Sequence, residues 1–273
     1  MPELPEVEVT RLGLAPYVEG SRISDVRLRR AGLRWPFPAD LPAILQGRVV
    51  LKTGRRGKYL LLHFEHGCLL IHLGMSGNLR VMPADTPPQK HDHVDLVMGE
   101  MMLRLTDPRR FGAVLWHAAS EGDVEQHLLL RHLGVEPLQA GLTAAWMFQQ
   151  TRHRSASIKQ VLLAGDVVVG VGNIYASESL FHAKINPKTA AHRISLKRYE
   201  SLCVAIRQVL TAAIAQGGST LKDFVGADGK TGYFQQTYFV YDRAGEACRL
   251  CQGTIRHIKQ GQRSSFYCVN CQK

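Results

Sequence analysis

No stretch of the 273 residues approaches the eighteen or so consecutive apolar side chains that a membrane helix requires, and no secretory signal opens the chain. A membrane or exported protein is therefore not expected, and the sequence reads as cytosolic. Cysteine is scarce: there are six, and four of them crowd between positions 248 and 271. The other two, Cys68 in CLLIHL and Cys203 in an apolar helical stripe, read as core residues, so no disulfide framework is expected. Acidic residues are outnumbered, with 23 Asp and Glu against 34 Lys and Arg, for a formal net charge of +11. The excess is spread through RLRRAGLR, GRRGK, DPRR, RHR and the C-terminal segment rather than held in one tract. A general surplus of this kind suits a polyanion, most simply nucleic acid. Internal repeats are absent.

The length allows one large domain or two modest ones. A short helix is predicted from about Pro5 to Val18, with Pro5 and the early glutamates suited to its first turn. KYLLLHF and CLLIHLG, separated by EHG, read as a hairpin; so do DHVDLVM and MMLRLTD, separated by GE, with GAVLWH following. These Val-, Leu- and Ile-rich runs with glycine turns predict a β-sandwich or barrel to about residue 120. From about residue 124 the pattern becomes helical. SIKQVLLA and NIYASESLFHAKI read as short helices joined by GDVVVGVG, and the run from Ser195 to Gly217 reads as a long one. TYFVYDR reads as a strand before the cysteine cluster.

The most specific signal is Cys248-Arg-Leu-Cys251 followed by Cys268-Val-Asn-Cys271, two knuckles spaced for a four-thiolate zinc site. Four protein thiolates leave no open coordination position, so the expected Zn2+ is structural. The intervening TIRHIKQGQRSSFY alternates like a hairpin, with Arg263 near its tip. GVGNIYASE places Gly170 and Gly172 before Asn173 at an expected helix N-cap, where exposed N–H groups suit a phosphate. Met75 in HLGMSG, with Arg109 and Phe111 in TDPRRFG, falls on turns rather than within strands. Such a trio suits a wedge that fills the gap left by an extruded base. Lys58 in GRRGKY is either a solvated lysine or a phosphate ligand. At the head of the chain, removal of Met1 would leave Pro2 as a secondary amine beside Glu3 and Glu6. An α-amino group titrates near pKa ~8, well below lysine, and its attack on an aldehyde carbon gives an electron-withdrawing iminium.

Together MPELPEVE, GRRGKYLL, HLGMSG, KHDHVD, TDPRRFG, VVGVGNIYASESLF, GGSTLKDF and the two CxxC pairs resemble the formamidopyrimidine-DNA glycosylases, from residue 2 to residue 273. The resemblance implies an α+β multidomain fold. Its parts are an N-terminal β-sandwich with a leading helix (1–123), a helix–two-turn–helix domain (124–235) and a C-terminal zinc-ribbon β-hairpin (236–273), with DNA in the cleft between the lobes. It implies a bifunctional glycosylase and AP lyase that removes oxidised purines from double-stranded DNA and cleaves the strand by β,δ-elimination. Pro2 would attack C1′, Glu3 would act as acid and base, and Glu6 would support them. Lys58 would assist β-elimination and Arg263 δ-elimination. Met75, Arg109 and Phe111 would fill the vacated stack. His91, Asn173 and Tyr241 would hold the DNA backbone, and the loop within STLKDFVGADGKTGYF would cover the everted base. One structural Zn2+, no organic cofactor, no membrane partner, a monomeric state and a nucleoid-associated location are expected. The sister class, endonuclease VIII, prefers oxidised pyrimidines; PELPE with Met75, Arg109 and Phe111 favours the purine class. A zinc-ribbon DNA-binding protein without catalysis would explain the charge and cysteines but not Pro2-Glu3. The chain departs from many relatives at Leu162-Leu163-Ala164-Gly165, where an acid is usual, and at Ser155, where a lysine credited with damage preference is usual.

Overall fold

Helix α1 spans Leu4–Val18, with Glu3 as its N-cap and Pro5 in its first turn. It opens a computed structural model that describes residues 2–218 and 238–273. The chain divides into two units, the first comprising described residues 2–131 and 216–218, the second 132–215 and 238–273. No described helix is long and apolar enough to cross a membrane.

The first unit holds eight strands in two antiparallel sheets. Strands β1 (Asp25–Leu28), β6 (Asp92–Met98), β7 (Met101–Thr106) and β5 (Asn78–Pro83) form one in that order. The other is ordered β2 (Lys52–Arg56), β3 (Tyr59–Phe64), β4 (Gly67–His72) and β8 (Ala113–Ala118). Both predicted hairpins are present, β3–β4 pairing Leu60 with Ile71 and Leu62 with Leu69, and β6–β7 pairing Leu96 with Leu103. These side chains share one core with Val7, Leu14 and Val18 of α1 and Leu41 and Leu45 of the short helix α2 (Leu41–Leu45). The chain crosses between sheets three times, from β1 to β2 by way of α2, from β4 to β5, and from β7 to β8. The last two crossings are made by the loops HLGMSG and TDPRRFG. Because β4 neighbours β8 and β5 neighbours β7, topology alone makes these loops neighbours.

The second unit contains α3 (Ala144–Thr151), α4 (Ile158–Ala164), α5 (Asn173–His182), the 20-residue α6 (Leu196–Ala215), and the hairpin β9 (Ile255–Gln260) with β10 (Arg263–Cys268). Helix α4 ends at Gly165 in the left-handed conformation, φ +77°. Two expectations are corrected. Gly172, not Asn173, is the N-cap of α5, so Asn173 is its first helical residue. TYFVYDR is no strand over its described residues, 238–243. The N–H groups of Phe239, Val240 and Tyr241 all bond the Glu178 carboxylate at 2.8 to 3.0 Å, so none is free for a ladder. The β9–β10 turn carries positive φ at both Gly261 and Gln262, as a two-residue type I′ turn requires. A core of Phe181, Val240, Cys248, Ile255, Phe266 and Cys268 lies beneath the hairpin. The loop expected to cover an extruded base, 219–234, lies outside the described residues.

Candidate active site and metal centre

Pro2, Glu3 and Glu6 are all buried at the head of α1. The Glu3 N–H donates to Glu6 Oε2 at 2.8 Å, so the Glu6 carboxylate satisfies a backbone donor of the first turn and fixes the direction in which the chain enters the helix. Gly218, at φ +81°, lies against the same carboxylate; a Cβ there would stand 3.3 Å from Glu6 Oε1. Two residues on, Glu8 accepts from Arg11 at 2.6 Å and from Arg55 of β2 at 3.0 Å. Burial alone would raise the Glu8 carboxyl, but the bonds and charges of Arg11 and Arg55 hold it below its ordinary value. This triad ties β2 to α1. Lys58 sits in the β2–β3 turn just beyond, where Gly57 supplies positive φ at the first turn position.

Met75, Arg109 and Phe111 lie on the crossover loops HLGMSG and TDPRRFG. Phe111 is 45% exposed, and the Arg109 guanidinium stands 5.1 Å from its ring centroid. A side chain at Gly74 would meet the Phe111 carbonyl carbon at 2.4 Å, so glycine is what permits the loops to touch. The buried Asp107 organises both. Its Oδ1 accepts from Ser76 at 2.9 Å and its Oδ2 from the Gly112 N–H at 2.8 Å, while Ser76 Oγ accepts from the Arg109 N–H at 3.2 Å. Its N–H donates to the His91 carbonyl at 3.0 Å. Asp107→Ala strands two donors of a charged acceptor, and is expected to lower stability by about 2–4 kcal/mol in urea unfolding.

His91 itself follows the loop 84–90, which is pinned from below. The buried Arg104 bonds Asp95 at 2.8 and 2.9 Å, and reaches the carbonyls of Thr86 at 2.9 Å and Pro87 at 3.1 Å. Arg29 pairs with the same Asp95. Burial would raise the Asp95 carboxyl; Arg104 and Arg29 hold it low instead.

His72, at the end of β4, accepts the Gly74 N–H on Nδ1 at 3.0 Å, which leaves Nε2 to carry the proton. Burial, then the charges of Lys58 and Arg34, push its pKa to about 4 against the opposing Asp107. The folded imidazole is therefore neutral from pH 5 upward. The unfolded chain takes up a proton near 6.5 and the folded chain only near 4. Stability from this group is thus lost as pH falls through that window, at up to about 1.4 kcal/mol per pH unit. The imidazole Cε1–H resonance should move by no more than about a tenth of its full titration shift between pH 8 and 5, where an unperturbed histidine would complete most of its titration.

In the second unit Asn173 opens α5 after Gly170 at φ +84°, and its Oδ1 is buried with no hydrogen-bond partner among the described residues. Tyr241 packs its ring on Phe266 at 5.2 Å, edge to face. Its backbone position is set by Glu178, whose carboxyl is raised by burial while the three N–H bonds act in the opposite direction. Glu178→Gln replaces an acceptor oxygen with a donor amide facing an N–H. A loss of about 1–3 kcal/mol and faster amide exchange over 239–241 are expected. Arg263 is exposed at the first residue of β10, beside the turn. The buried Lys159 of α4 donates from Nζ to the Ser264 carbonyl at 2.7 Å and to Ser265 Oγ at 2.9 Å, holding the start of β10.

The Sγ atoms of Cys248, Cys251, Cys268 and Cys271 lie within 4.8 Å of one another. Tetrahedral zinc with Zn–S near 2.3 Å puts thiolates about 3.8 Å apart, so the four fit one ion. Their donor set is complete, and the small core under the hairpin accounts for the need of a metal.

Sequence reasoning did not find Asp107, Glu178, Arg104, Lys159 or His72. Each acts by holding backbone or another side chain, which no local sequence pattern marks.

Residues 1–114 match the formamidopyrimidine-DNA glycosylase N-terminal domain, 133–225 the formamidopyrimidine-DNA glycosylase H2TH domain, and 245–273 the zinc finger found in FPG and IleRS. The chain is 70% identical over 273 residues to a formamidopyrimidine-DNA glycosylase of Janthinobacterium sp. (strain Marseille) and 69% identical to that of Herminiimonas arsenicoxydans, each match covering both chains fully. Among solved structures it is similar to Lactococcus lactis Fpg in complex with abasic-site DNA, at TM-score 0.91 and 31% identity over 99% of each chain. It is also similar to the MutM (Fpg) protein of Thermus thermophilus, at TM-score 0.89 and 35% identity over 99% of this chain and 98% of that one. The fold and the metal site define a zinc-finger protein of the helix–two-turn–helix class. The chain belongs to the formamidopyrimidine-DNA glycosylase family.

Proposed function

We propose that this protein is a bifunctional DNA glycosylase and AP lyase of base excision repair, acting on oxidised purines such as 8-oxoguanine and formamidopyrimidines in duplex DNA. The observation that carries the reading is the head of α1, where Pro2 is followed by the buried Glu3 and Glu6 and the Glu6 carboxylate holds the Glu3 N–H. Once Met1 is removed, the Pro2 nitrogen attacks C1′ and the N-glycosidic bond breaks, the base leaving with a proton. Glu3 protonates the ring oxygen as the sugar opens, giving an iminium. That electron sink acidifies C2′; loss of its proton expels the 3′ phosphate, and a second elimination expels the 5′ phosphate. Lys58 serves the first elimination and Arg263 the second. Met75, Arg109 and Phe111 offset the few kcal/mol lost when the base leaves the stack. His91, Asn173 and Tyr241 hold phosphates, and Asn173 does so as a neutral donor at the start of α5. One structural Zn2+ supports the hairpin. The enzyme works as a monomer in the bacterial cytoplasm, associated with the nucleoid.

The test is borohydride trapping on a duplex containing 8-oxoguanine opposite cytosine. Protein lacking Met1 should give one covalent complex per active molecule, and protein retaining Met1 none. Equal trapping by both forms would remove Pro2 from the chemistry.

A further inference from the structure

The wedge loop has a neighbour built on the same plan. Trp35 is 44% exposed, and the Arg34 guanidinium stands 5.9 Å from its ring centroid, as Arg109 stands over Phe111. The two loops are joined directly, because the Arg34 N–H donates to the Gly112 carbonyl at 3.1 Å and the Leu33 side chain packs toward Gly112. The loop carrying Trp35 is rigid at its base. Phe37 is buried in the sandwich core and its N–H donates to the Ala31 carbonyl at 2.9 Å; the Leu33 N–H donates to the Trp35 carbonyl at 3.0 Å. A Cβ on Gly32 would fall 2.5 Å from that carbonyl oxygen, so the turn tolerates only glycine there. An aromatic ring and a guanidinium are thus held out to solvent on a backbone whose ordering entropy is already spent.

The charge around Arg34 is equally telling. Arg34 and Lys58 both act on the His72 imidazole, and Arg34 acts on Tyr59 as well, so these groups share one edge of the sandwich. Among the described residues no carboxylate pairs with Arg34, whereas Arg29 on the same loop is paired with Asp95. A planar guanidinium backed by an indole face, beside a lysine and a neutral imidazole N–H, is the donor set for a phosphate oxyanion.

We propose that Arg34, backed by Trp35, is a further DNA contact: its guanidinium takes a backbone phosphate of the duplex next to the region served by Arg109 and Phe111. This rests on the reading of the protein as a duplex-DNA enzyme. Arg34 fixes the position of the duplex and carries no base information.

The measurement is fluorescence anisotropy with a labelled duplex containing a tetrahydrofuran abasic analogue, titrated across a range of KCl concentrations. Arg34→Gln should weaken binding about three- to tenfold at moderate salt. It should flatten the plot of log K against log salt by about 0.9, the change for one phosphate contact. Lys197→Gln, which removes one exposed charge on α6, should leave the slope as in the wild type. Trp35→Ala keeps the charge and should weaken binding less than Arg34→Gln, with the slope intact. Two results overturn the proposal: an Arg34→Gln slope equal to wild type, or a greater loss from Trp35→Ala, which would make the indole a base-stacking group. A wild-type protein with no affinity for the duplex would instead sink the functional reading on which the proposal stands.

Discussion

A Pro2→Gly variant freed of Met1 will still bind lesion duplex but will give on the order of a hundredfold less borohydride-trapped complex in single-turnover assays. That is about 2.7 kcal/mol of barrier at 1.36 kcal/mol per decade. Glycine supplies a primary amine with a free backbone torsion in place of a ring-locked secondary amine. The attacking lone pair therefore loses its fixed orientation toward C1′, and alignment is what makes such a step fast. Glu3 and Glu6 remain held to each other in this variant, since their bond runs through the Glu3 N–H and not through residue 2. The expected result is thus a defect in covalent chemistry with near-normal affinity. Trapping at the wild-type rate would show that another amine carries the reaction.

The second large effect is expected from Cys268→Ser. Cys268 is buried, its N–H donates to Gln272 Oε1 at 2.9 Å, and its sulfur lies 3.4 Å from that of Cys251. A serine hydroxyl is not a thiolate, and three sulfurs cannot close a structural tetrahedron. Zinc-dependent ribbons draw apparent binding energies of about 10–16 kcal/mol into folding, far above what the few apolar side chains beneath this hairpin supply. Zinc content measured by atomic absorption should fall from one equivalent to near zero, and β9 and β10 should lose amide protection. The strand pairs of the first unit, whose core among the described residues runs no further along the chain than Trp116, should keep theirs. A variant retaining a full equivalent of zinc would mean that the ligands have been misassigned.

Much of the architecture was legible because the chain uses strong local signals. Helix α6 follows from the spacing of Tyr199, Leu202, Cys203, Ile206, Val209 and Leu210, all buried. The hairpins β3–β4 and β6–β7 follow from apolar runs broken at glycine. The zinc centre follows from two short spacings. What stayed hidden was non-local. Nothing in GAVLWH says that it leaves β7 to pair with β4, because either sheet would turn the same face, Val114 with Trp116, toward the core. TYFVYDR has every mark of a strand, yet a carboxylate some sixty residues earlier in sequence takes its N–H groups. Asn173 is displaced by one residue into the helix, since Gly172, in extended conformation, takes the N-cap although asparagine is the stronger capping residue. The residues proposed to meet DNA were visible by type, while those that hold them, Asp107, Arg104 and Glu178, were not. A buried acid or arginine announces itself only through the donors it satisfies.

The bond from Lys159 to Ser265 spans 106 residues. During synthesis α4 leaves the ribosome well before β10, by roughly 5–20 s at about 5–20 residues per second. Throughout that interval the two hairpin groups that take the lysine ammonium in the finished protein do not yet exist. The helical unit therefore reaches its final packing only when the zinc-binding segment has emerged and closed. Chains that terminate before β10 leave α4 without the two bonds that tie it to the hairpin. Such chains should be cut early by proteases at α4, so that quality control favours molecules carrying a completed metal centre.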